Sequence, residues 1–251
     1  MAINIKSSRE IAAMRRAGST VASILKTLFK EMRAGMTTRQ LDDIAVRELE
    51  RCGAISSFKG FRGFPATLCV SVNEEVVHGI PGERVICEGD IVSLDFGAIV
   101  GGFHGDAALT LGVGNISPQA KKLLDITKGS LEAGISVARA GAHLSDISAA
   151  IQNYAESRGY SVVREYTGHG IGQEMHEEPQ IPNFGLPGYG PILRKGMTLA
   201  IEPMVNIDGW LTKVKNDHWT VVTADGGLSA HFEKTIAITD GEAEVLTSWD
   251  K

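Results

Sequence analysis

Apolar residues along Ser7–Arg33 recur at helical spacing, with Ile11, Met14, Val21, Ile24, Leu25, Leu28 and Phe29 falling on one side of a 3.6-residue period. Ser7 or Ser8 can cap the start of this helix, and the Gly35-Met36-Thr37-Thr38 stretch breaks it. Leu41–Leu49 predicts a second helix, stopped near Gly53. Three Gly-punctuated segments then read as strands, Thr67–Val72, Ile91–Phe96 and Ala107–Leu111. The order recurs further on: Ser117–Ala138 is helical, Ala140–Gly141 breaks it, and Leu144–Ser157 is helical up to Gly159.

This recurrence has residue-level support. Laid over Ala140–Tyr160 at an offset of 106, Ala34–Ala54 matches Ala34 with Ala140, Gly35 with Gly141, Glu50 with Glu156 and Gly53 with Gly159. Continued forward, the offset carries Asp95 to one residue from Glu202, so each half ends an apolar strand on a carboxylate. The pattern predicts an α/β chain forming one domain over residues 1–251. Its halves, roughly 1–115 and 116–251, share one sheet, and their acidic strands meet at its centre.

Composition narrows the class. The chain has 251 residues, 43% of them apolar, enough for a sizeable core. A net charge of −5 argues against a broad basic face, and so against DNA or an anionic membrane as partner. Cys52, Cys69 and Cys87 have neither CxxC nor CxxH spacing, which favours free thiols in a reducing compartment. The start, MAINIKSSRE, has no signal-like apolar run, and no window reaches the roughly 18 apolar residues of a membrane span. A cytoplasmic location is expected.

The acids in the strands are harder to explain. In DIVSLDFGAIVGGFHGDAALT, Asp95 interrupts one apolar run and Asp106 stands at the far end of the segment. Glu202 lies in LAIEPMV and Glu233 in AHFEKTIAI, both strand-like. A lone acid in a strand is more often an edge residue or the partner of an arginine, but several such strands resist that reading. Four gathered carboxylates need neutralising, and two divalent cations would cancel their charge. His169, among the glycines of TGHGIGQEMHEEP, completes an oxygen-rich set with one imidazole, suited to Mn, Fe, Co or Zn. Such a pair of ions activates water as a nucleophile, and the chain has no GxSxG elbow offering a serine instead.

His176, seven residues after His169, and His78, before a Gly-Ile-Pro-Gly turn, can be read as loop histidines or as catalytic groups. His104, His143, His218 and His231 take the structural reading, although His231 lies two residues from Glu233. Phe103-His104, between the two acids, reads as turn and packing.

Taken together, NEEVVHGIPG (73–82), DIVSLDFGAIVGGFHGD (90–106), VVREYTGHGIGQEMHEEP (162–179), GMTLAIEPMVN (196–206) and WTVVTADGGLSAHFEKT (219–235) resemble the type I methionine aminopeptidases. The D-x10-D and H-x6-H spacings carry the likeness, which runs over essentially the whole chain. The resemblance implies the pita-bread metallopeptidase fold: two pseudo-symmetric halves sharing a curved antiparallel sheet, with helices on its outer face. It implies removal of an initiator methionine followed by a small residue, by attack of a metal-bridging hydroxide on the scissile carbonyl. By the same resemblance Asp95 chelates one metal and His169 with Glu202 the other, while Asp106 and Glu233 bridge them. Glu202 shuttles the proton, His78 contacts the scissile amide, and His176 stabilises the oxyanion. Phe58, Phe61, Phe64, Cys69, Met175 and Trp219 map to the methionine side-chain pocket, where soft and aromatic walls suit a thioether. A monovalent cation is implied near Asn73, Glu75 and Ser229, and the partners implied are nascent chains with transient ribosome contact to a monomeric enzyme.

The chain departs from the family pattern in three places. GFRGFP (60–65) stands where Gly-Tyr-His-Gly-Tyr-Pro is usual, Met175 where Phe is usual, and Lys234 where His follows the second bridging Glu. A Pro-directed peptidase of the same fold usually carries an additional N-terminal domain, for which this chain has no room. A non-catalytic binding module of the fold should have lost ligands, and all five are present.

Overall fold

The computed structural model describes residues 2–249. Four α-helices form where the apolar period is helical: α1 (Ser8–Glu31), α2 (Thr38–Cys52), α3 (Pro118–Val137) and α4 (Leu144–Glu156). Ser7 caps α1, its hydroxyl accepting from the Glu10 N–H while the Glu10 carboxylate accepts from the Ser7 N–H. Thr37 and Gln40 make the same reciprocal cap on α2, which ends on Gly53 in the left-handed conformation.

Between the helix pairs run β1 (Ile55–Ser56), β2 (Cys69–Val72), β3 (Glu75–Val77), β4 (Ile91–Val100) and β5 (Phe103–Gly112), with a 3-10 turn over Phe61–Gly63. After α4 come β6 (Ser161–Val162), β7 (Thr167–Gly170), β8 (Glu177–Pro182), β9 (Thr198–Ile201) and β10 (Met204–Asn206). The last strands are β11 (Thr212–Val214), β12 (Val221–Thr223), β13 (Ser229–His231), β14 (Glu233–Ala237) and β15 (Glu244–Val245).

The principal sheet is antiparallel and runs β1-β4-β5-β14-β9-β7-β8, with β2 also on β4 and β15 also on β14. At its centre β5 of the first half pairs with β14 of the second, flanked by β4 on one side and β9 on the other. Both halves thus contribute strands to one sheet, as the internal repeat predicts. The fold is thus the mixed α/β arrangement expected, with a large antiparallel sheet and helices packed on it.

On β4, Val92, Leu94, Phe96 and Ala98 join the main core with Ile24, Leu25 and Leu28 of α1. The backbones of α1 and β5 touch, since a β-carbon at Gly105 would stand 2.8 Å from the Gly18 nitrogen. Alternation along β4 therefore turns Ser93, Asp95 and Gly97 away from that core. The strand break lies at Gly101 and Gly102, both with positive φ, so Phe103 and His104 belong to β5 and not to a turn. Glycine tolerates these dihedrals, whereas the bulkier pair favours strand. Among the described residues no helix is long and apolar enough to cross a membrane.

Candidate metal centre and substrate cavity

Strand register assembles the acidic residues. Asp95 on β4 stands opposite Ala108 on β5, and Ala108 opposite Glu233 on β14. Asp106 lies two residues before Ala108, so the pleat puts Asp95, Asp106 and Glu233 on one face. Lys234 pairs with Ile201, which sets Glu233 against Glu202 just past the end of β9. His169 on β7 pairs with Ala200 and reaches the same group. Its Nε2 lies 3.8 Å from Asp106 Oδ2 and 3.6 Å from Glu202 Oε1. One ligand atom each from Asp106, His169 and Glu233 falls within a 4.8 Å span.

These groups fit a cation. Asp95 Oδ1, Asp106 Oδ1 and Glu233 Oε1 are buried without a hydrogen-bond partner, a costly arrangement unless something positive faces them. Burial pushes the Asp95 carboxyl up to about 7. Asp106 is raised well above the carboxylate range by burial, then by Glu233 and Asp95. Glu202 and Glu233 are raised likewise, by burial first and then by neighbouring acids. Burial, then His176, holds His169 down at about 3, so its imidazole is neutral and its nitrogen lone pair free for coordination. Its Nδ1 is 2.9 Å from the Gly170 carbonyl, which directs Nε2 at the carboxylates.

The cluster floors a cavity of about 160 Å³, whose walls are Phe58, Phe61, Phe64, Cys69, Met175 and Trp219. Phe58, Phe64, Cys69 and Met175 pack as an apolar cluster with Phe61 and Trp219 against it. His78 and His176 complete the lining. His78 holds a left-handed backbone, φ 60°, just after β3, and its ring stands edge-on to Tyr166 and Trp219. Burial, then His176, lowers it to about 4. His176 is exposed at the lip, yet one face is covered by Phe61 at 5.1 Å and the ring lies 4.2 Å from that of His169. This surrounding protein, with Arg62, lowers it to about 4 as well.

All thirteen residues singled out in the sequence for ligation, catalysis or the side-chain pocket therefore line a single cavity. A scan against protein-family models matches residues 12–240 to metallopeptidase family M24. The chain belongs to that family. Methionine aminopeptidase 1 of Bacillus subtilis is 54% identical over 242 residues, covering 96% of this chain and 98% of its own. The crystal structure of methionine aminopeptidase from Thermotoga maritima matches with a TM-score of 0.96 at 47% identity, covering 98% and 99% of the two chains. That from Rickettsia prowazekii gives 0.97 at 40% identity, covering 98% and 100%. The chain is accordingly an M24 metalloaminopeptidase of the methionine aminopeptidase type.

The departures from the family pattern fall in different places. Arg62 lines the cavity mouth of this M24 enzyme, its guanidinium 5.3 Å from the Phe61 ring centroid. Met175 is a buried part of the pocket wall. Lys234 does not line the cavity: strand alternation turns it away from Glu233, and its Nζ lies 4.5 Å over the Trp249 ring. Two contributions went unread in the sequence. Arg62 stands in the sequence only as a departure, and Tyr166, edge-on to His78, lies within the 162–179 motif without a role assigned to it.

Proposed function

We propose that the chain removes the N-terminal methionine from nascent polypeptides and peptides whose second residue is small. The observation that carries this is that Asp95, Asp106, His169, Glu202 and Glu233 line one small cavity together with a sulfur-compatible apolar pocket, three of them as a group able to hold a cation. Asp95, Asp106, His169, Glu202 and Glu233 would hold two divalent ions, with Asp106 and Glu233 bridging. Bound there, the ions supply a water acidic enough to attack a carbonyl near neutral pH, and Lewis acidity toward the substrate.

The side chains do the rest. Phe58, Phe61, Phe64, Cys69, Met175 and Trp219 receive the methionine side chain and exclude water from it. His176 stays a neutral imidazole at pH 7, so it offers an N–H to the carbonyl oxygen as negative charge develops. His78, neutral for the same reason, contacts the scissile amide. Glu202 carries the proton: it lines the cavity, where its carboxylate would take one from water and deliver it to the leaving amine.

We further infer that residues 1–251 act as one catalytic domain, monomeric, in the cytoplasm and in transient contact with ribosomes. The large sheet to which both halves contribute strands supports the one-domain reading, and among the described residues no helix is long and apolar enough to cross a membrane. Co, Mn, Fe and Zn all suit the donor set. A monovalent cation near Asn73, Glu75 and Ser229 would be held by backbone oxygens. The Glu75 carboxylate is already engaged by the Val72 N–H, Lys215 and Arg84, and the Asn73 carbonyl faces the Ser229 N–H at 2.9 Å.

The test strips the purified protein of metal, reloads it with Co²⁺ or Mn²⁺, and offers Met-Ala-Ser and Ala-Pro peptides. Release of methionine from the first is expected. Cleavage of Ala-Pro without Met-Ala assigns a Pro-directed peptidase instead, and turnover of neither assigns a binding module.

A further inference from the structure

His231 is 1% exposed and stands on β13, two residues before Glu233. Both its ring nitrogens are buried without a hydrogen-bond partner. A neutral imidazole always carries one N–H, and an unpaired buried donor is unfavourable. Its Nε2 lies 3.9 Å from Glu202 Oε2. The other oxygen of that carboxylate, Oε1, lies 3.6 Å from His169 Nε2. Glu202 is thus flanked by two imidazoles, one on each oxygen.

The two flanking histidines differ in position. His169 lines the cavity, whereas His231 lies behind it, outside the lining. Backbone pairing locks His231 there: it stands opposite Met204, its N–H donates to Thr110 Oγ1 at 2.8 Å, and its carbonyl accepts from the same hydroxyl. Met204 follows Glu202 by two residues, and the next link, Phe232 N–H to the Pro203 carbonyl, ties the Glu202-Pro203 turn to the same strand. Glu202 itself sits between β9 and β10 and lacks a ladder of its own to orient it.

We propose that His231 is a positioning residue for Glu202. Its Nε2–H donates to Oε2, fixing the carboxylate plane so that Oε1 faces His169 and the cation pair. The bond closes by a shift of about 1 Å, from 3.9 Å to the usual donor–acceptor range. The inference rests on the reading of Glu202 as metal ligand and proton carrier, and extends it to a side chain that touches neither substrate nor ion.

Three variants separate positioning from packing. In His231→Gln the amide nitrogen reaches about as far as Nε2; in His231→Asn it reaches only about as far as Nδ1; His231→Leu keeps bulk without a donor. Metal binding to the stripped proteins is measured by calorimetry with Mn²⁺, alongside kcat and KM on Met-Ala-Ser and a thermal melt. Expected is near wild-type behaviour for Gln, with Asn and Leu losing roughly 10–100-fold in affinity for one of two ions, the scale of an outer-partner loss. Their kcat should fall while KM stays, because the methionine pocket is untouched. Wild-type affinity and kcat in His231→Leu, or equal loss in the Gln and Asn variants, overturns the proposal. A wild type that neither binds ions nor cleaves overturns the reading of the site, and this inference with it.

Discussion

Asp106 Oδ2 and His169 Nε2 stand 3.8 Å apart, although their strands are separated in the sheet by both β14 and β9. At about 4.8 Å per step, three steps across a flat sheet would hold parallel side chains roughly 14 Å apart. The sheet therefore curves, concave toward the carboxylates, and side chains from opposite halves converge on its inner face. That convergence is what the cations would stabilise. Asp106→Ala is accordingly expected to abolish methionine release and reduce bound metal to trace levels. The activity loss should exceed the roughly 10–100-fold typical of outer-partner mutations. Metal analysis of the purified variant with a peptide assay checks this, and near-normal turnover would refute the bridging role. In the metal-free state the same substitution removes a buried acid crowded by Glu233 and Asp95, so its melting temperature should not fall.

The crowding also predicts a pH dependence. In the metal-free protein burial holds the Asp95 carboxyl near 7, against roughly 3.9 in an unfolded chain. A group whose folded pKa is raised contributes stability that is present below the unfolded value and lost as pH climbs through the folded one. Metal-free wild type should therefore lose ground to metal-free Asp95→Asn between pH 5 and pH 8, in paired melts. Referring both to each other cancels the histidines, whose lowered pKa values act in the opposite direction. A constant difference in melting temperature across that range would count against the buried, proton-retaining Asp95. Added Mn²⁺ should reverse the order at pH 8, because ligation needs the deprotonated acid.

Much of this centre is legible in the amino-acid sequence. Helical periodicity located α1 to α4 to within a few residues, since their buried faces are long and strictly spaced. The internal repeat indicates that both halves contribute strands to one sheet with their acids gathered at its centre, though not that β5 and β14 form the central pair. The acids stand out by being misplaced in apolar runs. What escaped were relationships that leave no periodic trace. His231 is an ordinary histidine in a strand until β10 and β13 pair and bring it behind Glu202. Phe103 and His104 looked like turn residues because they sit between glycines and an acid, yet the turn needs only Gly101 and Gly102. Lys234 looked like a change at the site because it adjoins Glu233, and the pleat sends it to the other face. The contact between Lys6 and Glu177 spans most of the chain and has no local signal at all.

That contact yields the last prediction. Lys6 Nζ meets Glu177 Oε2 at 2.5 Å, with both side chains about 5% exposed. The same carboxylate accepts from the Gln173 and Glu174 N–H groups and from Asn4 Nδ2. A β-carbon at Gly172 would collide with Glu177 and Lys6, so the loop is packed onto this pair. The backbone of Lys6 is itself anchored, its N–H donating to the Gly196 carbonyl at 2.8 Å. The chain thus uses its N-terminal segment to hold the loop that presents Met175 and His176 to the cavity. Breaking one partner of a buried pair leaves an uncompensated charge, at a cost of about 3–5 kcal/mol. Lys6→Met should lower stability on that scale in denaturant unfolding and raise KM for Met-Ala-Ser, as the loop loses its anchor. The double variant Lys6→Met with Glu177→Gln should recover part of the stability, because no unpaired carboxylate remains, but not the KM. If Lys6→Met leaves both stability and KM at wild-type values, the N-terminal segment does not hold the loop.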